Sequence, residues 1–595
     1  MLLYCGYIGG DFYEKGGDIA VDQYGSSYIT GRTSSSELTF PVQIGPDVTY
    51  NGNGDVFIAK VNAAGTGLEY CGYIGGENWD WGQGIKVDEK GNVFIAGVTS
   101  STENDGFPVK IGPDLTFNGD CDVFVAKLNS KGTELEYCGY IGGDGEECVD
   151  QNADIAIDED SNMYIIGYTY SDESSFPVII GPQKKLKGSC DAFVAKVNST
   201  GRLLDYCGYL GGDGWERGSG IAVDHDGNSY ICGITSSTEN SFPVLNGPDL
   251  TYNGGLVDGF IAKINSSGDR VEFCGYIGGL DRDGCEGIKL DVKGNVYITG
   301  TTFSDEKSFP VVVGPDLSGN GSCDAFVAKI NTYDGISFSY CGFIGGSNGD
   351  LGSDIAVDSE GSLFVFGETS SDESNFPVMN GPDLTFNGNG DGFVAKVNST
   401  GDSLEFCGYI GGAEREYSSS IDIDRLGNIY LMGDTNSDQS SFPVMVGPDL
   451  SYNDIYYRDI FVAKIFQKGL CCNKYELPIT GGEIDFHLDA GLKNKGRKYL
   501  LIGALNDTNP GYPLPGNVLS LPFNIDNMTY TIMENMNNSI FNNFAGELDL
   551  NGRMRAKLMV PKIRPEFIGI QMFFAYCLIN KFDFVSNPVP IIIVE

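Results

Sequence analysis

The sequence predicts an all-β fold, in which a seven-bladed β-propeller of four-stranded blades is followed by a C-terminal β-sandwich. A stretch close to Tyr-Cys-Gly-Tyr-Ile-Gly-Gly recurs every 66 to 69 residues, with its cysteine at Cys5, Cys71, Cys138, Cys207, Cys274, Cys341 and Cys407. Phe-Pro-Val occurs seven times, at Phe40, Phe107, Phe176, Phe242, Phe309, Phe376 and Phe442. A period of this length indicates an array of supersecondary units.

Each repeat is long enough for four short antiparallel strands. In the repeat after Cys71 we predict strands at 85–88, 93–99, 122–129 and 135–140. They are rich in β-branched and aromatic residues and are bounded by Gly and Pro. The third strand reads Asp-x-Phe-(Val/Ile)-Ala-Lys in all seven repeats and ends at Lys60, Lys127, Lys196, Lys263, Lys329, Lys396 and Lys464. Four strands per repeat, repeated seven times, predict seven propeller blades.

The two ends of the array complement each other. Residues 1–8 form a fourth strand with no third strand before it, and residues 459–465 form a third strand with no fourth strand after it. We therefore expect the N-terminal strand to pair with the last one and to close the ring, which leaves few unprotected sheet edges.

These repeats resemble the SBBP-type β-propeller repeat of secreted bacterial proteins. The resemblance lies in Asp-Ala-Phe-Val-Ala-Lys, in Tyr-Cys-Gly-Tyr-Ile-Gly-Gly, in Ile-Ala-Val-Asp-x-x-Gly-Asn-x-Tyr-Ile-x-Gly-x-Thr-x-Ser and in Phe-Pro-Val, and it covers residues 1–466. It implies the propeller fold. It implies no catalytic residues, because that family has no common catalytic set. The cysteine of Cys-Gly-Tyr departs from the Ser or Thr that is frequent there.

Charge and composition divide the chain. Residues 1–472 hold 27 Lys and Arg against 69 Asp and Glu, whereas residues 473–595 hold 11 against 12. We predict a propeller at 1–467, a linker at 468–475 and a β-sandwich at 476–595, with one short helix within 529–543. This last part resembles a C-terminal domain of secreted bacterial proteins, through segments such as Pro-Leu-Pro-Gly at 513–516 and Ala-Tyr-Cys at 575–577.

Several functional classes are disfavoured. The net charge of -43 argues against nucleic acid, which needs clustered Lys and Arg. The sequence contains no run of 18 apolar residues, so it predicts no membrane span. His225 and His487 are the only histidines, which leaves no Ser/His/Asp or Cys/His arrangement for catalysis. Paired carboxylates could still act as in glycosidases.

The best candidates for ligand binding are the residues that differ from one blade to the next. At the entry to the innermost strand, Asp18, Asp154 and Asp354 share one register and could ring the central channel. The loops after the fourth strand are acidic and contain the three tryptophans, so the candidate ligand-binding residues also include Glu146, Glu147, Asp213, Glu216, Trp79, Trp81 and Trp215. Tryptophan beside carboxylates suits carbohydrate stacking, whereas packing between blades is the alternative.

Calcium is the one cofactor that the sequence suggests. The loops that end at Asp55 and Asp391 read Asn-Gly-Asn-Gly-Asp and alternate oxygen donors, which are the ligands that Ca²⁺ prefers. Neither loop matches an EF-hand. Ordinary turn chemistry is the alternative.

The cysteines suggest two roles. We expect the seven Cys-Gly-Tyr cysteines to be buried thiols. Cys148 with Cys190, and Cys285 with Cys323, occupy the same two positions in their blades, which suggests two disulfides and an oxidising setting. Cys121 stands at the position of Cys190 without an evident mate, which weakens that interpretation.

Taken together, the sequence favours an extracellular or cell-surface scaffold without catalytic activity, although no signal peptide is visible. We expect it to present its acidic propeller loops to a polysaccharide or a protein partner. The alternative is a carboxylate-based glycan hydrolase or lyase at the mouth of the channel.

Overall fold

A computed structural model describes residues 2–148, 154–332, 335–453, 457–466, 469–472, 476–491, 494–505, 512–513, 520–521, 526–535, 537–550, 552–568, 570–579, 586 and 589–594. Within these residues the chain is all-β apart from one α-helix and short 3-10 turns. The predicted linker at 468–475 falls partly outside them.

The strands of the repeats are short and follow one another in a constant rhythm. They are β1 (Leu2–Ile8), β2 (Glu14–Val21), β3 (Ser27–Thr33), β4 (Asp55–Val61), β5 (Leu68–Ile74), β6 (Asp80–Val87), β7 (Val93–Thr99), β8 (Asp122–Leu128), β9 (Leu135–Ile141), β10 (Glu147–Cys148), β11 (Ile155–Ile157), β12 (Met163–Thr169), β13 (Asp191–Val197), β14 (Leu204–Leu210), β15 (Glu216–Val223), β16 (Ser229–Thr235), β17 (Asp258–Ile264), β18 (Val271–Ile277), β19 (Asp283–Leu290), β20 (Val296–Thr302), β21 (Asp324–Asn331), β22 (Ser337–Ile344), β23 (Asp350–Val357), β24 (Leu363–Thr369), β25 (Asp391–Val397), β26 (Leu404–Ile410), β27 (Glu416–Ile423), β28 (Ile429–Thr435) and β29 (Asp459–Ile465).

These strands form antiparallel sheets that are arranged as propeller-like blades. In the described part of the chain the sheets are β2-β3-β4-β5, β6-β7-β8-β9, β12-β13-β14 with β10 and β11 both on β12, β15-β16-β17-β18, β19-β20-β21-β22, β23-β24-β25-β26 and β27-β28-β29-β1. We number them sheets 1 to 7 in this order. The inner strands contact one another from each sheet to the next, and β27 contacts β2.

The N-terminal strand completes the last sheet, as the sequence predicted. β1 pairs antiparallel with β29, with Tyr4 opposite Lys464 and Ile8 opposite Ile460. Sheet 7 therefore draws its outer strand from the beginning of the chain. This pairing satisfies backbone groups of β29 that would otherwise form an open edge.

The long loop between the second and third strands covers the outer edge of each sheet. In sheet 1 the backbone N–H of Cys71 donates to the carbonyl of Ile44 at 2.8 Å, and that of Tyr73 donates to Asp47 at 2.8 Å. The loop and the strand approach closely at two glycines, since a Cβ on Gly72 would lie 2.4 Å from the Cα of Gly45. The Gly of Cys-Gly-Tyr is thus required by backbone contact.

The apolar cores lie between neighbouring sheets. Val56 and Ile58 of sheet 1, for example, share a buried cluster with Ile95 and Phe124 of sheet 2. The phenylalanine of every Phe-Pro-Val element is buried. Each of them packs against the aromatic residues of its own sheet, as Phe107 does against Tyr140, with ring centroids 5.4 Å apart.

The C-terminal part consists of two further sheets around one core. Its strands are β30 (Gly469–Cys472), β31 (Glu476–Pro478), β32 (Gly482–Asp489), β33 (Lys498–Ala504), β34 (Tyr512–Pro513), β35 (Ser520–Leu521), β36 (Phe541–Asn542), β37 (Ala545–Glu547), β38 (Arg553–Val560), β39 (Gln571–Leu578) and β40 (Val589–Val594). The sheets β30-β32-β38-β36 and β31-β40-β39-β33-β37 both contribute to the core, and β34 pairs with β35.

One helix accompanies these sheets. α1 (Asn527–Glu534) begins after Asp526, whose side chain accepts a hydrogen bond from the backbone N–H of Thr529 in a capping box. This helix overlaps the segment 529–543, in which the sequence predicted one short helix, and begins two residues before it. Among the described residues, no helix has the length and apolar character needed to cross a membrane.

Candidate functional site

The three aspartates predicted at the innermost strands belong to one polar ring. Asp18, Asp154 and Asp354 alternate around it with Lys86 and Lys289. The Nζ of Lys86 lies 3.0 Å from Asp18 and also contacts Asp154, and the Nζ of Lys289 contacts Asp154 and lies 3.7 Å from Asp354. We call this set, together with Ser420, the inner polar ring.

Ser420 closes the inner polar ring between Asp354 and Asp18. Its hydroxyl lies 2.7 Å from Asp354 Oδ2 and 2.6 Å from Asp18 Oδ1. Backbone N–H groups of Ile85 and Ile421 donate to the same two carboxylates. The aspartates are thus held by ion pairs and hydrogen bonds within the protein.

Electrostatics follow from this alternation. Burial opposes the charge of Lys86 and Lys289, but the surrounding carboxylates raise the pKa of both amines. Burial also opposes the charge of Asp154, yet Lys289 and Lys86 lower its pKa. Burial raises the pKa of Asp354. The lysines stay charged and neutralise part of the acid, and their ion pairs connect residues of different sheets.

Two of the predicted binding acids, Glu147 and Glu216, are buried and hydrogen-bonded within the protein. Glu147 and Glu216 begin the inner strands of sheets 3 and 4 and are fully buried. The backbone N–H of Gly143 donates to Glu147 at 2.6 Å, and the hydroxyl of Thr169 donates to it at 2.6 Å. The corresponding acids of the other sheets are equally buried and are Glu14, Asp80, Asp283, Asp350 and Glu416.

Each of these acids has a second buried carboxyl beside it from the preceding sheet. The partner is the aspartate that begins the third strand, and the pairs are Asp55/Asp80, Asp122/Glu147, Asp191/Glu216, Asp258/Asp283, Asp324/Asp350, Asp391/Glu416 and Asp459/Glu14. The first glycine of Gly-Gly separates them: a Cβ on Gly411 would lie 2.5 Å from Asp391 Oδ1 and 2.6 Å from Glu416 Oε2. We call these the junction carboxyl pairs.

Two members of the junction carboxyl pairs, Asp55 and Asp391, have raised pKa values. Burial raises the pKa of Asp55 and of Asp391 to about 7, and the neighbouring acid adds to the effect. One carboxylate oxygen of each accepts a hydrogen bond from the loop backbone, at Asn51 and Asn387. The other oxygen, Oδ1, has no hydrogen-bond partner among the described residues. A pair of this kind retains a proton near neutral pH.

The predicted calcium ligands are therefore members of the junction carboxyl pairs. Asp55 and Asp391 are fully buried. In the described part of the chain, no group of three or more His, Cys, Asp or Glu residues is arranged to hold a metal ion. Calcium binding at these loops stays a prediction.

The lysine at the end of the third strand lies over an aromatic ring in every sheet, at 4.5 to 5.1 Å from its centroid. In sheet 6, Lys396 also forms ion pairs with Glu405 at 2.8 Å and Asp358 at 3.7 Å. In sheet 7, Leu3 of β1 stands at the bulge that Glu405 occupies in sheet 6. The buried Nζ of Lys464 consequently has no hydrogen-bond partner among the described residues.

Cations and aromatic rings alternate across sheets 7, 1 and 2 on the side where the acidic loops lie. Arg415 lies 4.7 Å from the ring of Tyr417, and Arg458 lies 4.1 Å from the same ring and 5.5 Å from that of Tyr13. Arg32 follows, 5.8 Å from the Tyr13 ring and 5.2 Å from that of Trp79.

The row continues through the two tryptophans of sheet 2. Trp79 and Trp81 meet edge to face with centroids 6.0 Å apart, and Lys15 lies 4.4 Å from the Trp81 ring. We call the eight residues from Arg415 to Lys15 the cation–aromatic strip. In a chain with a net charge of -43, four cations in one row are a local exception.

Part of the strip is exposed, whereas Arg32 Nε and Trp81 Nε1 are buried. Trp81 is buried, whereas Trp79, Tyr13 and Tyr417 are half-buried, and Arg415 is exposed. Arg32 Nε and Trp81 Nε1 have no hydrogen-bond partner within the described chain. Acids also contact the strip, since Asp434 pairs with Arg458 and Glu368 pairs with Arg415, both at 3.2 Å.

A smaller cluster of the same kind lies at sheets 3 and 4. Arg217 lies 4.7 Å from the ring of Tyr168 and 5.5 Å from that of Trp215. The predicted acids Glu146 and Asp213 are exposed on the neighbouring loops. The sequence indicated the tryptophans as candidate ligand-binding residues but not the arginines. The arginines could have been found because they stand at positions that differ between otherwise similar blades.

The structure does not contain the two predicted disulfides. Cys148, Cys190, Cys285 and Cys323 are free thiols. The residue before each third strand lies beside the next sheet and not beside the first strand of its own sheet. The backbone of Cys190 forms an isolated β-bridge with Trp215, and that of Cys323 forms one with Gly349. The seven Cys-Gly-Tyr cysteines are buried free thiols, as expected.

Comparison with known proteins identifies the repeat. Residues 409–438 match the SBBP beta-propeller repeat. This SBBP segment includes β27 and β28 and, with them, Glu416, Thr435 and Ser437, which are bonded to one another. The buried acid of the inner strand is thus part of the SBBP repeat of this chain.

Solved structures show similarity at low sequence identity. A protein of unknown function from Dyadobacter fermentans covers 78% of this chain and 98% of its own, at 9% identity and a TM-score of 0.34. BamB from Moraxella catarrhalis covers 76% and 83%, at 10% identity and 0.30. A fungal alcohol oxidase of the AA5 family, in complex with copper, covers 99% and 98%, at 9% identity and 0.42. A search of curated proteins found no match.

Proposed function

We propose that this chain is a polysaccharide-binding scaffold, outside the cell or on its surface, and that the cation–aromatic strip is its binding surface. In this proposal sheets 1 to 7 form one closed seven-bladed propeller at 1–467, which a linker at 468–475 joins to a β-sandwich at 476–595. The pairing of β1 with β29 and the contact of β27 with β2 support the closed ring. The SBBP repeat, which is typical of secreted bacterial proteins, supports the location.

The strip carries the functional part of the proposal. Aromatic rings offer flat apolar faces to sugar rings, and their edges and the indole N–H offer polar contacts. Guanidinium groups bind carboxylates with two parallel hydrogen bonds. The alternation of Arg32, Arg458 and Arg415 with Trp79, Tyr13 and Tyr417 therefore suits an acidic polysaccharide, such as one made of uronic acids, better than a neutral one.

The inner polar ring favours binding over catalysis. A glycan hydrolase or lyase would need a carboxylate that is free to act as acid, base or nucleophile. Asp18 and Asp154 are instead paired with Lys86 and Lys289. The scaffold is accordingly rigid at its centre and presents its variable residues at the surface.

The test is a titration of the full chain with polygalacturonate and with neutral dextran. We expect polygalacturonate to bind, with an affinity that falls as salt is raised. Trp79→Ala and Arg32→Ala should each weaken binding by roughly tenfold, as truncation of an interface anchor commonly does. Arg202→Ala, an exposed change in the turn after β13, is the control and should leave binding unchanged.

Unchanged affinity in both strip variants would contradict the proposed surface. Turnover of the polysaccharide, assayed by new reducing ends, would support the hydrolase or lyase alternative. Thermal melts in chelator and in Ca²⁺ test the calcium prediction, because a ligand of the folded state raises the midpoint. No shift with calcium would contradict it.

A further inference from the structure

Cys121 and Cys148 belong to neighbouring sheets but meet at the junction between them. Cys121 precedes β8 of sheet 2, and Cys148 ends β10 of sheet 3. The backbone of Cys121 bridges that of Glu146, and the N–H of Glu147 donates to the carbonyl of Cys121 at 2.8 Å. The two backbones are thereby fixed side by side, with the cysteines two residues apart in register.

The side chains converge as well. The two thiols are within hydrogen-bonding reach of each other. Cys121 is buried in the apolar cluster between sheets 2 and 3, and the partly exposed Cys148 packs against it. Cys190 and Cys323 stand at the position of Cys121 in their own sheets. Their backbones pair with those of Trp215 and Gly349, and the residues two positions after these are Arg217 and Leu351. Of the three cysteines at this position, only Cys121 therefore meets a second thiol in this way.

We propose that Cys121 and Cys148 are a disulfide-forming pair that links sheets 2 and 3 covalently. This pair replaces the two pairings that the sequence suggested, and it does not depend on the polysaccharide proposal. Adjacent inter-sheet positions suit a disulfide because the bond requires close Cα atoms and converging Cβ directions.

The chemistry is thiol–disulfide exchange with a small disulfide such as oxidised glutathione. Cys148, the more accessible thiol, loses its proton to solvent, and its thiolate attacks one glutathione sulfur and releases one glutathione thiolate. Cys121 then loses its proton to solvent, and its thiolate attacks the Cys148 sulfur of this mixed disulfide and releases the second glutathione thiolate; both released thiolates take up protons from solvent. Two protein thiols and one glutathione disulfide thus give one protein disulfide and two glutathione thiols.

The surroundings of Cys148 set the pH at which the reaction begins. Its hydrogen bond with Cys121 and its burial raise its pKa. Glu146, with an oxygen 3.3 Å from the Cys148 sulfur, adds negative charge, and Tyr168 also faces the thiol. Because the thiolate is the attacking species, exchange should be faster at alkaline than at neutral pH.

The experiment treats the full chain with oxidised glutathione or with dithiothreitol, and then alkylates, digests and maps the cysteine peptides by mass spectrometry. We expect the oxidised protein to lose the mass of two hydrogen atoms and to yield a peptide that joins Cys121 to Cys148. Its melting temperature should rise, because the bond closes a loop in the unfolded chain.

The variants Cys121→Ser and Cys148→Ser should each abolish the joined peptide, and Cys190→Ser, the matched control, should retain it. Circular dichroism confirms that each variant is folded. The proposal is overturned if the wild-type chain keeps both thiols alkylatable after oxidation, if the bond maps to another pair, or if Cys148 remains as a stable glutathione adduct.

Discussion

Replacing Lys464 by Met should stabilise the protein, although it removes a charged residue from the core. The amine is about 1% exposed, and burial lowers its pKa from 10.5 to about 8. At about 1.36 kcal/mol for each pKa unit, this change corresponds to about 3 kcal/mol of unfavourable free energy when the amine is charged. Loss of the contact with the Tyr430 ring, 4.5 Å away, costs about 1 kcal/mol.

The expected net gain of Lys464→Met is therefore about 2 kcal/mol near neutral pH. Its dependence on pH identifies the cause. A lysine whose pKa is lowered by folding destabilises the protein fully below its folded pKa of about 8. The penalty falls as the pH rises from there and is absent above the unfolded pKa of about 10.5. The gain should shrink accordingly between these two values.

The assay is a thermal or urea melt of the wild-type chain and the variant at about pH 7 and about pH 10.5. Lys396→Met is the matched control, because that lysine occupies the same position in sheet 6 but keeps its ion pairs with Glu405 and Asp358. It should lose stability. A lower midpoint for Lys464→Met at neutral pH, or a gain that is equal at both pH values, would refute the reasoning.

Three further changes test other contacts. The pKa of Asp55, a member of the junction carboxyl pairs, is raised to about 7 in the folded protein. Its contribution to the stability of the fold is therefore full below about pH 4 and is lost as the pH rises through 7. Melts should show a higher midpoint at about pH 5 than at about pH 8, and Asp55→Asn should weaken this dependence. Lys86→Met removes the ion-pair partner of the buried Asp18 and one of the two lysines that pair with Asp154, and it should cost about 3 kcal/mol in a urea melt, whereas the exposed Lys90→Met should cost little. Gly72→Ala brings a Cβ to 2.4 Å from a facing backbone atom and should lower the melting temperature, whereas Gly67→Ala, whose nearest atom is 4.0 Å away, should not.

Much of the fold could be predicted because each blade repeats the same local pattern. The alternation of apolar residues gives the strands, and the seven copies of the third strand make their register clear even without an alignment. The incomplete repeats at residues 1–8 and 459–465 predicted the pairing of β1 with β29, because an unpaired edge is costly.

The candidate site could be predicted only in part, because its residues come from different sheets. Asp18, Asp154 and Asp354 share a register, so their proximity was predictable, but their pairing with Lys86 and Lys289 depends on how the inner strands of different sheets are placed relative to one another. The relative placement of sheets likewise brings Cys148 beside Cys121 rather than Cys190. The repeat pattern shows the position of a residue within its own repeat, but it does not show which residue of another repeat that residue contacts.

The pairing of β1 with β29 also sets the order of events during synthesis. The ribosome releases Leu2–Ile8 before every other strand of the repeats and Asp459–Ile465 after all of them. At translation rates of about 5–20 residues per second, β1 waits roughly 20–90 s for its partner. During that time Tyr4, Cys5, Tyr7 and Ile8, which are all buried in the finished sheet, are exposed on the nascent chain. Chaperones that hold exposed apolar segments of a nascent chain should therefore raise the yield of this protein more than those that act after chain release.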